Sequence, residues 1–371
     1  MSFRPPQETE SPAAATSPWE VPAAELPVLL EEARIFAGVS PWQDAHERFR
    51  RNRLARFSLR FLIVFGFLAM ITPLLPLPSP VTLDLENAMS EPVAPWELIF
   101  RQGYERNYWP LNPLDSAMAS VREKVFGQRQ TASWMGRDSM GRDVLSRILW
   151  GSRTSFIVAF LATFVSLVIG VTYGAVAGLV GGRLDEWMMR LVDVLYSLPF
   201  VFVVIFVLGL LGSSTASGAT VSGPPRERVF FIVIGAIWWL TMARVVRGQV
   251  LSLGHSGFIQ SARAMGAGTF AILRRHVFPN VLSVVVVYLT LTIPAIMLFE
   301  AFLSFLGLGV EAPKVSWGLL AVDGTESINP LQISWWLVVW PAAAMASTLL
   351  ALNFVGDGLR DALDPRLRGV R

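Results

Sequence analysis

The chain has 371 residues, 53% of them hydrophobic and only 16% charged, with a formal net charge of +3. Its apolar residues gather in blocks of about 20, the length that crosses a ~30 Å hydrocarbon layer, so a polytopic helical membrane protein is expected. There is no cysteine, and the three histidines (His46, His255, His276) lie far apart, which excludes disulfides, zinc thiolate sites and cysteine nucleophiles.

The net charge shows no basic stripe with interleaved aromatics, so no nucleic-acid partner is expected. Residues 1–45 are rich in Pro, Ala and Glu, and Pro5, Pro6, Pro12, Pro18, Pro22 and Pro27 crowd too closely for stable helix or strand. This predicts a disordered leader. The first long apolar run begins only after Phe57, which does not fit a cleavable signal peptide.

Six spans are expected, at about Leu59 to Leu77, Phe156 to Leu179, Leu191 to Leu211, Phe230 to Ala243, Val281 to Phe305 and Ser334 to Phe354. The fourth is short and can continue through Arg244 to Val250 into water. Before the first span stand Arg48, Arg50, Arg51, Arg53, Arg56 and Arg60, a basic flank that places the amino terminus in the cytoplasm. An even count of spans returns the carboxyl terminus to the same side. The turn Arg183 to Arg190, the loop Arg244 to Asn280 and the tail with Arg360, Arg366, Arg368 and Arg371 then face the cytoplasm.

The chain divides accordingly into a leader (1–45), a basic flank and first span (46–77), an extracytoplasmic segment (78–154), a five-helix core (155–355) and a cytoplasmic tail (356–371). In the outer segment, Gly136-Arg137-Asp138-Ser139-Met140-Gly141-Arg142-Asp143 repeats a Gly-Arg-Asp triplet and leads into Val144 to Trp150. Residues 144, 145, 148 and 149 share a helical face, which predicts a short amphipathic helix at the membrane surface. It is equally readable as a capped connector with local ion pairs or as part of a substrate entrance. In the second span Gly170, Gly174 and Gly178 form a small-residue stripe for close helix packing, without naming the partner helix.

Between the fourth and fifth spans, the loop 251–280 holds Ser261-Ala262-Arg263-Ala264-Met265-Gly266-Ala267-Gly268 and, further on, Phe278-Pro279-Asn280. Its small side chains let another protein's backbone approach, and nothing among them can be a nucleophile or metal ligand, so it reads as a contact surface. The chain's two lysines, Lys124 and Lys314, are each followed by valine, so neither belongs to a phosphate-cradling Gly-Lys-Ser/Thr loop. If ATP drives this protein, the ATPase is supplied by a partner chain. Ion coupling has little support: Glu300, near the outer end of the fifth span, is the acidic group to note, and it reads first as a snorkelling or hydrogen-bonded carboxylate. Pro294 bends that span. Ser166, Thr163 and Thr172 have no histidine or carboxylate near them in sequence to make an intramembrane enzyme.

These blocks resemble a known family. The loop looks like the "EAA" loop of bacterial ABC-importer permeases, with Gln260-Ser261-Ala262 in the first three positions, Gly266 as the glycine and Phe278-Pro279 as the closing pair. The ordered blocks Gly141 to Arg147, Gly151 to Ser155, Asp193 to Pro199, Ala262 to Ala267, Arg275 to Asn280, Leu303 to Gly309, Ser316-Trp317-Gly318 and Gly358 to Arg366 are similar to the C-type permease of dipeptide, oligopeptide and nickel importers. The resemblance implies an all-α type I importer fold with six transmembrane helices in the bacterial inner membrane. It implies a homologous B-type permease, two cytoplasmic ATP-binding subunits and an extracytoplasmic solute-binding protein as partners, with no cofactor on this chain. It also implies that Gln260, Ser261, Ala262, Arg263, Ala264, Met265, Gly266, Ala267 and Pro279 couple the permease to the ATPase. The function expected is translocation of peptides or similar polar solutes by alternating access; a non-transporting scaffold or assembly subunit is the alternative.

Overall fold

The computed structural model describes residues 41–94, 111–127, 129–216, 226–310, 313–328 and 333–363. The disordered leader expected over 1–45 lies outside them except for its last five residues, which are helical. They open α1 (Pro41–Arg51), and Asn52 breaks the chain and caps α2 (Arg53–Ile71) by accepting from Ala55 N at 3.1 Å. The first span thus starts several residues before its apolar run, inside the basic flank.

After two 3₁₀ turns, α3 (Pro113–Phe126) precedes α4 (Val144–Val180), a single helix of 37 residues. The separate amphipathic helix expected at 144–150 is not there: these residues are the first two turns of α4. Val144, Ile148 and Leu149 are buried, at 2%, 3% and 8% exposure, because protein rather than lipid surface covers that face. Asp143 fixes the start, its side chain accepting from Ser146 N at 2.7 Å.

The third expected span is broken. α5 (Gly182–Ser197) and α6 (Phe200–Ala216) meet at 82°, and the break falls at Leu198-Pro199, where proline lacks an amide donor and disfavours helix in the residue before it. α7 (Arg226–Gly254) is 29 residues long, so the short fourth span and its suggested extension are one rod. Then come α8 (Gly257–Ala264), α9 (Thr269–Ile272), a π turn at Leu273–Val277 and α10 (Phe278–Phe305). The π turn ends two residues before Pro279, whose missing amide gives the carbonyl four residues back no helical partner and whose ring crowds it. A helix that the hydropathy pattern does not signal, α11 (Trp317–Glu326), precedes α12 (Trp335–Leu363), which absorbs 356–363 of the expected tail.

Among the described residues, four helices are long and apolar enough to cross a membrane: Arg53–Leu74, Val144–Val180, Thr269–Phe305 and Trp335–Leu363. The bent pair α5/α6 brings the number to five if it forms one span. The stripe Gly170, Gly174, Gly178 finds its partner in α7. A Cβ at Gly174 would lie 2.3 Å from Ala243 O, and one at Gly170 2.6 Å from Met242 Cβ, so the two backbones touch.

Two apolar clusters hold the helices. One surrounds Trp317, whose ring lies 5.8 Å from that of Phe65 and 5.6 Å from that of Phe156. Its indole donates to Ile148 O at 3.0 Å and its backbone N–H to Ser155 Oγ at 3.2 Å. Glu300, 1% exposed, is buried beside it and accepts from Ser304 at 2.9 Å and Ser155 at 3.4 Å, so the carboxylate is hydrogen-bonded rather than snorkelling. The other cluster joins the ends of α4 and α7 to the segment 259–285.

Candidate functional site

The elbow from α8 to the start of α10 is built on two anchors. Ile259 (0% exposed) and Ala262 (4%) face inward, onto a patch that includes Leu179, Val246 and Val250. With helical spacing, the opposite face turns to solvent: Gln260, Ser261, Arg263, Ala264 and Met265 are all exposed, Met265 at 82%. Of the residues expected to couple, Ala262 is therefore an anchor rather than part of the outer surface. Ala267 is half-buried, and Pro279 stands exposed in the first turn of α10.

Two polar contacts fix the elbow locally. Arg263 donates to Leu179 O at 3.4 Å, in the last turn of α4, where the unpaired carbonyls attract a cation. That bond ties α8 to the second span across 84 residues of sequence, and composition gave no sign of it. Gln260 Nε2 donates to His255 O at 3.3 Å. Gly266 closes the helix with φ +82°, a left-handed conformation that costs other L-residues energy, and nothing lies within 4 Å of where its Cβ would be. The amide of Ala267 then bonds back to Ala262 O at 3.0 Å.

Beside the elbow, α5 and α7 are joined by ion pairs near their ends. Arg247 grips Asp185 through both nitrogens at 2.5 and 2.7 Å, and Arg244 reaches Asp193 at 2.7 Å while its guanidinium lies 4.4 Å from the Tyr196 ring centre. The elbow thus rests on a braced platform.

At the other end of α4, the repeated Gly-Arg-Asp triplets form a charged nest. Asp138 accepts from the amides of Met140 (2.9 Å) and Arg142 (2.8 Å), from Arg142 Nε (2.7 Å) and from Arg147 Nη1 (2.6 Å). Arg147, 1% exposed, also reaches Asp323 of α11 at 2.7 Å. Arg137 pairs with Asp84, and Trp336 of α12 donates to Arg137 O at 3.2 Å. Gly141 lets this loop close, because a Cβ there would stand 1.9 Å from Asp84 O. Of the two readings open for this segment, the ion pairs are present but they are not only local; three helices meet on them. Among the described residues, no group of three or more His, Asp or Glu side chains is arranged to hold a metal ion.

Comparison with known proteins agrees with this architecture. Residues 170–369 match the family described as "Binding-protein-dependent transport system inner membrane component", and residues 40–92 match the "N-terminal TM domain of oligopeptide transport permease C". The oligopeptide transport system permease protein OppC of Escherichia coli K12 is 41% identical over 331 residues, covering 89% of this chain and 93% of that protein. The dipeptide transport system permease protein DppC of Bacillus subtilis is 36% identical over 88% of this chain and 86% of that protein. The glutathione transport system permease protein GsiD of Shigella flexneri is 34% identical over 89% and 92%. With a predominantly helical body carrying several membrane-length helices, the chain belongs to the family of binding-protein-dependent transport inner-membrane permeases.

Proposed function

We propose that this permease forms half of the membrane channel of an ATP-driven importer for short peptides, working by alternating access. The names of its relatives support the substrate class: oligopeptide, dipeptide and glutathione are all peptidic. In this reading the bent α5/α6 pair and α7 complete six spans in a type I importer fold, with both termini cytoplasmic. A homologous B-type permease supplies the other half of the channel, two ATP-binding subunits supply the energy, and an extracytoplasmic solute-binding protein delivers the peptide.

The observation that carries the coupling role is the two-faced elbow. Its inner face is locked to α4 and α7, while Gln260, Ser261, Arg263, Ala264 and Met265 are exposed on the other, with small Ser261 and Ala264 leaving room for a partner's surface between the longer side chains. A rigid helix held in this way transmits a partner's movement to the spans, because packed interfaces shift between discrete states rather than deform smoothly. Gln260 offers an amide where a carboxylate would form an ion pair, so recognition there rests on hydrogen bonding and shape.

The natural chain has no cysteine, so one introduced thiol is a unique reporter. Met265→Cys or Ala264→Cys should cross-link to cysteines placed around the cleft of the ATP-binding subunit in the assembled complex, and buried Ile259→Cys should not. A complex that imports peptide yet gives no cross-link from any exposed elbow position removes the coupling role. A chain whose deletion leaves peptide uptake intact is a scaffold.

A further inference from the structure

The approach to the first span carries an exposed surface distinct from the elbow and from the charged nest. Phe49 of α1 and Ala55 of α2 both seat on Gly358 of α12, where an added Cβ would lie 3.3 Å from Phe49 Cε2 and 2.4 Å from Ala55 Cβ. Ala45, 7% exposed, extends the same contact. This fit sets the rotation of both helices. It turns Arg50, Arg51, Arg53 and Arg60 outward, all exposed and none in an ion pair among the described residues. Arg48, by contrast, is bound to Asp44 at 2.8 Å. The nearby exposed carboxylates are Glu47 on α1 and Asp357 and Asp361 on α12, with Arg360 between the latter two.

Interleaved with these guanidinium groups are Leu54 at 50% exposure and Phe57 at 70%. In water that pattern leaves the apolar residues unsatisfied, and in hydrocarbon it leaves the cations unsatisfied. At a membrane boundary both are satisfied: Leu54 and Phe57 enter the acyl layer while the arginines hold headgroup phosphates. Arg53 and Arg60 are seven residues apart, about 10 Å along the helix, within reach of one headgroup layer once the longer side chain snorkels outward.

We propose that the outward face of α1 and the first turns of α2 form a binding collar for anionic phospholipid. The collar works by paired action of guanidinium groups on phosphate and of Leu54 and Phe57 on acyl chains. The chain's own residues 1–40, with Glu8, Glu10, Glu20, Glu25, Glu31 and Glu32 against Arg4 and Arg34, are a rival occupant by charge. Anionic phospholipid carries in one molecule both the phosphate and the acyl chains that this pattern calls for, and deletion of residues 2–40 separates the two occupants.

The test uses the full-length chain in zwitterionic detergent, titrated with phosphatidylglycerol or phosphatidylcholine, with retained lipids counted by native mass spectrometry. The wild type should retain phosphatidylglycerol by about tenfold or more over phosphatidylcholine, and raised salt should weaken the preference. The variant Arg50→Gln/Arg51→Gln/Arg53→Gln should bring the two lipids to near-equal retention, whereas the corresponding triple change to Lys should keep the preference. If the triple Gln variant does not purify folded, Arg60→Gln alone should cut the preference by about twofold, one arginine's share of a roughly tenfold effect spread over four. Equal retention of the two lipids by the wild type, or unchanged preference after the Gln substitutions, overturns the proposal. So does a preference that appears only when residues 2–40 are deleted, which would assign the collar to the leader.

Discussion

Gly266 offers the sharpest test of the elbow, because its environment isolates one physical cause. At φ +82°, an L-residue pays roughly 1–2 kcal/mol, and since nothing lies within 4 Å of a methyl placed there, no steric clash adds to that figure. Asparagine tolerates this region better than most residues and valine tolerates it worst. A loss of this size is small against the ~5–15 kcal/mol that keeps a domain folded, so all variants should reach the membrane at normal levels. It is large for a local equilibrium, where 1–2 kcal/mol corresponds to about 5- to 30-fold in population. The strain is relieved most cheaply by rotating residues 264–268, which moves Ala264 and Met265 away from their native positions. Peptide uptake and ATPase stimulation, measured in proteoliposomes with the partner subunits, should therefore fall in the order Gly, Asn, Ala, Val at position 266, with Gly266→Leu close to the last and hydrolysis uncoupled from uptake. If Gly266→Asn is as defective as Gly266→Val, backbone conformation is not the cause; if Gly266→Val retains full coupling, the elbow does not carry force.

Three other positions should show stability changes readable by thermal unfolding in detergent. Gly174→Ala pushes a methyl to 2.3 Å from Ala243 O and should destabilise by about 1–3 kcal/mol, separating α4 from α7. Arg147→Met strips Asp138 and Asp323 of a buried partner, an event costing about 3–5 kcal/mol; the lower end is expected because Arg142 and two amides still hold Asp138. Combining it with Asp323→Asn should cost less than the sum of the two single changes. Burial pushes the Asp143 carboxyl, just outside the second span, from 3.8 up to about 6. The folded state then holds that proton more tightly than the unfolded chain, so stability falls as pH rises from about 4 to 6, by up to about 3 kcal/mol. Asp143→Asn keeps a capping oxygen and should flatten that slope; an unchanged pH profile would refute it.

Hydropathy located the membrane-length helices because lipid imposes one requirement on them all, that about 20 apolar residues run together. It misjudged their ends, since α4 begins well before and α12 continues well past the apolar stretch where protein covers them. The periodic face at 144–149 is a true amphipathic signal, yet it meets other helices rather than the membrane surface, a difference that depends on long-range contacts. Pro199 marked a break that the span assignment passed over, but nothing local sets its 82° angle. α11 was invisible because ten residues with Gly318 and Asp323 carry no membrane-length signal. At the elbow, the sequence resemblance singled out Gly266, and the structure supplies the reason in its φ of +82°. The inward turn of Ala262 and the bond from Arg263 to Leu179 were not, since both depend on where α4 ends.

The second span is a rod. Its 37 residues extend about 55 Å, beyond the ~40–45 Å of a whole bilayer. One tip carries Arg147 in its clasp with Asp138 and Asp323, and the other tip receives the Arg263 guanidinium. Gly170, Gly174 and Gly178 press it against α7 in its last third, close to the tip that receives Arg263. Turned about Gly174, with the Arg147 clasp about 40 Å away and Leu179 about 8 Å, about five degrees of rotation swings the clasp by about 3.5 Å with no helix unwinding. Under the proposed coupling, arms so unequal would turn a small nudge at the elbow into a larger displacement at the opposite face of the membrane.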